Sequence, residues 1–247
     1  MKYSIIIPTF NHFNALKKCV DSLIANTDLT KCDTEVIIVS NGCQDETADF
    51  IMGLPEPFNP VVISRPLGYP TAVNIGLEMA RGYYTVVLNN DTVLYGSPNA
   101  WINILEEPFK HIPECGITGP LLQHNHDADM DFVIFFCAMI SRPCLTACGR
   151  LDSIFSPGSG EDIDFCIRAQ QLGFKISQVP AGEKLSSDGQ RNIGSFPIYH
   201  SGEETVHRIP NWGEIFNRNM EIIKERYGKK KQHETESQNR CDNSNVQ

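Results

Sequence analysis

Four short apolar runs, each closed by polar residues and separated from the next by a stretch of helical spacing, set the strongest limit on what this chain can fold into. They are Tyr3-Ser-Ile-Ile-Ile-Pro8, Glu35-Val-Ile-Ile-Val-Ser40, Pro60-Val-Val-Ile-Ser64 and Tyr83-Tyr-Thr-Val-Val-Leu88. Runs of this length, rich in β-branched residues, suit strands covered on both faces. Between the first two, Ala15, Leu16, Cys19, Val20, Leu23 and Ile24 recur at helical spacing over Asn14 to Ala25, with Asn14 as the expected N-cap. Further helices are expected over Asp45 to Met52 and over Thr71 to Ala80, the latter closed by Gly82. Strands alternating with helices imply βαβ units, hence an α/β fold with a mainly parallel central sheet flanked by helices.

Open sheets of this kind bind ligands at the carboxyl ends of their strands. The polar residues of this sequence fall there: Pro8-Thr9-Phe10-Asn11, Ser40-Asn41-Gly42, Arg65 and Asn89-Asn90-Asp91. The second half is mixed. Helices are expected over Asn99 to Phe109, Glu161 to Leu172 and Glu214 to Tyr227, and strands over Asp131 to Arg142 and Phe174 to Val179. His124 to Met130 reads as a polar loop, and its His124, His126, Asp127, Asp129 and Asp131 as solvated residues rather than a metal site. No linker is evident, so residues 1–228 are expected to form one domain. Residues 229–247 are polar and are expected to be a disordered tail that can be removed without loss of fold or activity.

Composition narrows the function. A net charge of -9 argues against a nucleic-acid partner, which would call for a basic patch. The nine cysteines lack C-x-x-C pairing and regular spacing, which fits reduced thiols and a cytoplasmic protein. The longest apolar run, Phe132 to Ile140, is too short to span a bilayer, so no transmembrane segment is expected. Peripheral association with the inner face of a membrane stays open.

Three segments could carry chemistry. Val86-Val-Leu-Asn-Asn-Asp-Thr92 delivers the Asp91 carboxylate and two amides to the ligand edge. A divalent cation held there would neutralise a diphosphate leaving group, and oxygen ligands suit Mg2+ or Mn2+. The same pattern also suits an ordinary turn after a strand. Gly158-Ser-Gly-Glu-Asp-Ile-Asp164 places Glu161, Asp162 and Asp164 at a helix start, where the dipole favours acids and where one carboxylate could serve as general base. Ile198-Tyr-His-Ser-Gly202 adds His200.

In order and spacing these segments resemble the family-2 glycosyltransferases over roughly Tyr3 to Tyr227, with affinity to the rhamnosyltransferase-like branch. Ser4 to Asn11 resembles the opening strand and nucleotide loop, Glu35 to Thr47 the second strand and base-binding turn, and Leu67 to Gly76 the Asn-Leu-Gly…Asn-x-Gly segment. Leu88 to Thr92 stands in the place of the D-x-D metal motif, Gly160 to Arg168 is similar to the Glu-Asp catalytic helix, and Tyr199 to Gly202 to a later metal-binding segment. The resemblance implies the GT-A (Rossmann-like) nucleotide-diphospho-sugar transferase fold and metal-assisted, inverting transfer. The donor would be a UDP-, dTDP- or GDP-sugar, and the acceptor a hydroxyl of a glycan, a lipid-linked glycan or a protein. It implies Asp162 as base; Asp91 and His200 on an Mn2+ or Mg2+ ion; Pro8, Thr9, Asn11, Ser40, Asn41, Gly68, Asn74, Asn89 and Asn90 on the nucleotide-sugar; and Glu161, Asp164 and Cys137 near the acceptor or orienting the base.

The sequence departs from the family at Ser40, where Asp is common, at Pro66, and at Asn89-Asn90, which leave Asp91 as the certain carboxylate of the motif. No Gln-x-x-Arg-Trp follows Asp162, which implies one sugar added per encounter. Two rival readings remain at this level, a nucleotidyltransferase and a nucleotide-sugar or glycan-binding module with a degenerate site. The first would need a basic, Gly-rich loop where Pro8-Thr9-Phe10-Asn11 stands.

Overall fold

A computed structural model describes residues 1–180, 195–202 and 209–228, with the backbone alone of 184–185 and 191–192. The tail from Lys229 lies outside the described residues. In chain order the elements are β1 (Tyr3–Thr9), α1 (Phe13–Asn26), β2 (Thr34–Asn41), α2 (Thr47–Met52), β3 (Phe58–Ile63), α3 (Tyr69–Met79), β4 (Tyr84–Leu88), β5 (Thr92–Leu94), α4 (Ala100–His111), β6 (Cys115–Gly119), β7 (Leu122–Asn125), β8 (Met130–Val133), β9 (Cys137–Ser141) and α5 (Arg142–Cys148). After a 3-10 turn (Ser153–Phe155) come α6 (Glu161–Gln171), β10 (Lys175–Gln178), β11 (Lys184–Leu185), β12 (Arg191–Asn192), β13 (Ile198–His200) and α7 (Trp212–Tyr227).

The main sheet runs β10-β6-β9-β4-β1-β2-β3. Strand β1 pairs in parallel with β2 and β4, and β2 with β3, as the β-branched runs predict. Only β9 is reversed, antiparallel to both β4 and β6. That reversal brings the start of β9 to the carboxyl edge of β4, with Cys137 opposite Leu88. One buried cluster packs α1 and α4 on one face of the sheet, and another packs α3, α5 and α6 on the other. The apolar runs are buried on both faces for this reason.

Several boundaries differ from the sequence reading. His12, in the left-handed region at φ 64, precedes α1, so Asn14 lies inside the first turn instead of capping it. Helix α3 starts two residues early, with Pro70 in its first turn, and stops at Ala80 rather than at Gly82. His124 to Met130 is not a loop: β7 and β8 form an antiparallel hairpin, with His124 Nδ1 2.8 Å from Asp131. The single strand expected over Asp131 to Arg142 is two, β8 and β9, broken at 134–136. Strands β5 and β6 and helix α5 were not foreseen.

Helix α7 is tied to α6 by a buried carboxylate. Asp164 has no exposed surface and accepts from Arg168 Nε at 2.8 Å, Arg226 Nη1 at 2.9 Å and the Tyr227 hydroxyl at 2.6 Å. Removing one partner of such a cluster leaves buried polar groups uncompensated. Asp164→Ala is therefore expected to cost about 3 kcal/mol in urea unfolding, with a loss below about 1 kcal/mol contradicting the anchoring role.

Candidate active site

A pocket of about 650 Å³ opens along the carboxyl edge of the main sheet. The ends of β1, β2 and β4 supply Thr9, Asn41 and Asn89-Asn90-Asp91, and the loop before β9 supplies Ile134, Phe135 and Phe136. Gly68 and Tyr69 come from the start of α3, and Pro157 to Ser159 with Glu161 and Asp162 from the start of α6.

The strand-end amides brace one another. Asn90 Nδ2 donates to Thr9 Oγ1 at 2.8 Å, and Asn41 Oδ1 accepts from the Leu67 amide at 2.8 Å. The Tyr69 hydroxyl donates to Asn89 Oδ1 at 3.2 Å and to the Phe135 carbonyl at 3.0 Å. Gly42 sits at φ 74 with the Arg65-Pro66 backbone where a Cβ would stand, so only glycine lets the two loops meet beside Asn41.

Asp91 leaves the end of β4, and His200 closes β13, which reaches it by antiparallel pairing with β5. His200 Nε2 lies 3.3 Å from Asp91 Oδ1, and both side chains are nearly buried. Among the described residues neither atom has a hydrogen-bond partner. The imidazole stacks on Phe136 at 4.3 Å with planes 12° apart, which fixes its orientation. Burial alone would raise the Asp91 carboxyl, but the neighbouring His200 outweighs it and holds Asp91 below the usual range. Two orphaned polar atoms facing each other in a buried setting fit a divalent cation, with the remaining ligands left to phosphate and water. Among the described residues no group of three metal-ligating side chains occurs, so Asp91 and His200 are the two this site offers there.

The second pair of acids behaves in the opposite way. Burial pushes the Glu161 and Asp162 carboxyls above their usual range, and the charge of Asp162 adds to the shift of Glu161. For Asp162 the Ile163 N–H, at 2.9 Å, offsets only part of that. Glu161 is buried and its Oε2 has no hydrogen-bond partner. The helix that carries both acids starts at Gly160, φ 102, where a Cβ would press on the Phe155 ring.

Of the expected site residues, Pro8, Thr9, Asn41, Gly68, Asn89, Asn90, Asp91, Glu161 and Asp162 line the pocket. His200 joins them through Asp91. Five do not line it. Asn11 supports its own loop, accepting from the Gln44 amide at 2.8 Å. Ser40 is fully buried within β2. Asn74 is consumed by Leu151, donating to its carbonyl at 2.8 Å and accepting from its amide at 2.9 Å. Cys137 is a core side chain of β9 with no exposed surface, so it cannot meet an acceptor. Asp164 is spent on the α6–α7 anchor.

The sequence reading missed Tyr69, Phe135, Phe136, Trp212, Phe216 and Asn219. The last is a fully buried amide on α7 whose Nδ2 donates to the carbonyls of Phe155, Gly158 and Ser159 at 3.1, 3.0 and 2.7 Å. It thereby holds the loop that places Glu161 and Asp162. Its signal was present: Ile215, Asn219 and Ile223 share one helical face, and a lone amide in an apolar stripe has backbone to satisfy.

The model of glycosyl transferase family 2 matches residues 4–127, just over half of the sequence. The chain belongs to that family. It is similar to the poly(ribitol-phosphate) beta-glucosyltransferase of Bacillus spizizenii, 33% identical over 113 residues that cover 43% of this chain and 18% of that protein. Among solved structures it resembles a mannosyltransferase from Pyrobaculum calidifontis in complex with GDP-Man and Mn2+, with a TM-score of 0.57 and 17% identity over 72% of this chain and 55% of that one. It also resembles GalNAc-T7 with UDP, GalNAc and Mn2+, with a TM-score of 0.61 and 15% identity over 73% of this chain and 42% of that one. The fold is GT-A. The chain spans about a fifth of the length of the Bacillus relative and about half of the structural neighbours.

Asn219→Ala leaves three buried carbonyls without their donor and is expected to cost about 2–3 kcal/mol in urea unfolding. Turnover should fall about tenfold with donor affinity within twofold if Asn219 acts by placing Asp162, because the loop before α6 moves and the strand ends do not. Equal losses in both would assign Asn219 to general stability alone.

Proposed function

We propose that the chain transfers a hexose or deoxyhexose from a nucleoside-diphosphate donor to an acceptor hydroxyl, with inversion and one unit per encounter. The observation that carries this reading is the juxtaposition, in one pocket, of the facing Asp91–His200 pair and two carboxyls at the head of α6, Glu161 buried and Asp162 half-buried. The Pyrobaculum mannosyltransferase was solved with GDP-Man and Mn2+ and GalNAc-T7 with UDP, GalNAc and Mn2+, which supports the donor class and the ion.

Asn41, Thr9 and Asn90 lie at the strand ends where the nucleoside would rest. Asp91 and His200 would hold the cation through one carboxylate oxygen and one imidazole nitrogen, a donor set that favours Mn2+ over Mg2+. A cation so placed supplies charge neutralisation to the departing diphosphate. Asp162 takes the acceptor proton as the acceptor oxygen bonds to the anomeric carbon. The bond from that carbon to the diphosphate breaks with its electron pair leaving on the diphosphate, and a single displacement inverts the centre. A carboxyl raised by burial is a stronger base than an exposed aspartate and is better matched to neutral pH. Glu161, raised by burial and by the charge of Asp162, packs beside the base at the head of α6. No helix among the described residues is long and apolar enough to cross a membrane. A cytoplasmic site of action, at the membrane face where the acceptor is lipid-linked, belongs to the same proposal.

Asp91→Ala should abolish Mn2+-dependent donor binding in a thermal-shift titration with UDP-, dTDP- and GDP-sugars, and chelator should do the same to the parent chain. Full donor turnover in excess chelator would reject the metal. Asp162→Asn should lower turnover about a hundredfold or more with donor affinity retained, whereas Glu161→Gln should cost less. Because Asp162 must be deprotonated to act, turnover should fall as pH drops through its raised pKa. The acid limb should therefore lie above the ordinary aspartate range, and a limb near about pH 4 would contradict the burial effect.

A further inference from the structure

The pocket does not stop at the reacting carboxylate. Three inter-strand steps separate β2, with Asn41, from β9, with Phe135 just before it, and at strand spacing this is roughly 14 Å along the sheet edge. Besides Ile134 and Phe135, just before β9, the pocket is lined by Ile209, Pro210, Trp212 and Phe216 at the approach to and start of α7. Trp212 and Phe216 stand four residues apart on α7, one above the other on the same helical face. Trp212 is half-buried and Phe216 is 42% exposed, whereas Phe155, Phe165 and Phe196 are fully buried in the core. Two aromatic side chains are thus left partly uncovered in the pocket that also holds Asp162. The helix presenting them is fixed by Asn219 to the loop that positions that carboxylate.

Charge sharpens what can lie there. The charged residues lining the pocket are three acids, Asp91, Glu161 and Asp162, and no lysine or arginine lines it among the described residues. A cation at Asp91 would be shared with the donor diphosphate and leaves the other two acids facing the acceptor. We infer that the acceptor is an uncharged sugar ring whose C–H face lies on Trp212 and Phe216 and whose hydroxyl edge meets Asp162. The inference rests on the glycosyl-transfer reading above and names its acceptor class. A ring carrying a carboxylate or phosphate next to the accepting hydroxyl would bring like charge against Asp162.

The test uses the full chain and two readouts. The sequence has two tryptophans. Trp101 is fully buried with its indole N–H on Thr27, so a ligand-dependent change in emission reports Trp212. Methyl glucoside, galactoside, mannoside and rhamnoside are titrated against methyl glucuronide and hexose 6-phosphates, with octyl glucoside as the lipid-like arm. At least one neutral methyl glycoside should change the emission saturably, with its anionic counterpart at least tenfold weaker. With the donor that is turned over, neutral glycosides should accelerate nucleoside-diphosphate release. Trp212→Ala and Phe216→Ala should each raise acceptor KM tenfold or more while donor KM moves less than twofold, and Trp212→Phe should restore most of the loss. Unchanged acceptor KM in both alanine variants, a preference for anionic over neutral acceptors, binding that requires the octyl chain, or no emission response to any neutral glycoside would overturn the inference. Saturable emission changes without nucleotide release from any donor would instead overturn the transfer reaction and leave the sugar-binding wall standing.

Discussion

The active edge of this molecule depends on one buried carboxylate that takes no part in the chemistry. Asp164 has three donors, and two of them, Arg226 and Tyr227, arrive from the last helix. A charge without exposed surface is tolerable only when its oxygens are satisfied, so α6 cannot bury Asp164 until α7 has docked. Once docked, α7 places Asn219 on the carbonyls of the loop ahead of Asp162 and its first turn along the pocket. Anchor, base loop and aromatic wall are consequences of a single packing decision.

The pocket's acids are sorted by environment rather than by type. Asp91 is held low, against burial, by the imidazole beside it and by backbone N–H groups, while Asp162 is pushed up by burial and Glu161 by burial and the charge of Asp162. Pockets that drive the protonation of neighbouring carboxyls apart can assign one to charge and another to proton transfer. The division also follows the fold, since the low carboxylate leaves a parallel strand and the raised pair stands on the far side of β9.

Much of this was legible in the residues. The β-branched runs announced the parallel strands, and their polar ends announced Thr9, Asn41 and Asn89 to Asp91, because a parallel sheet leaves its carboxyl ends as the open edge. Asp162 was legible through the Gly-rich approach to its helix. What could not be read was long-range use of polar groups. Asn74 looks like a ligand residue until Leu151 is found to occupy both ends of its amide, and Asp164 looks like its neighbour Asp162 until Arg168 and Arg226 arrive. Cys137 was expected near the acceptor through the family resemblance, but in β9 the alternation of sides turns the thiol into the core. The hairpin at His124 was hidden because exposed two-stranded pairs carry little apolar periodicity.

The pairing of β13 with β5 joins chain segments on either side of most of the second half of the sequence. The residues proposed for the nucleoside end all lie before the middle of the chain, whereas the proposed cation pair is assembled only when β13 brings His200 to Asp91. On that reading the two ends of one donor molecule depend on contacts of very different range, the first local to the leading βα units and the second resting on a single long-range strand pairing.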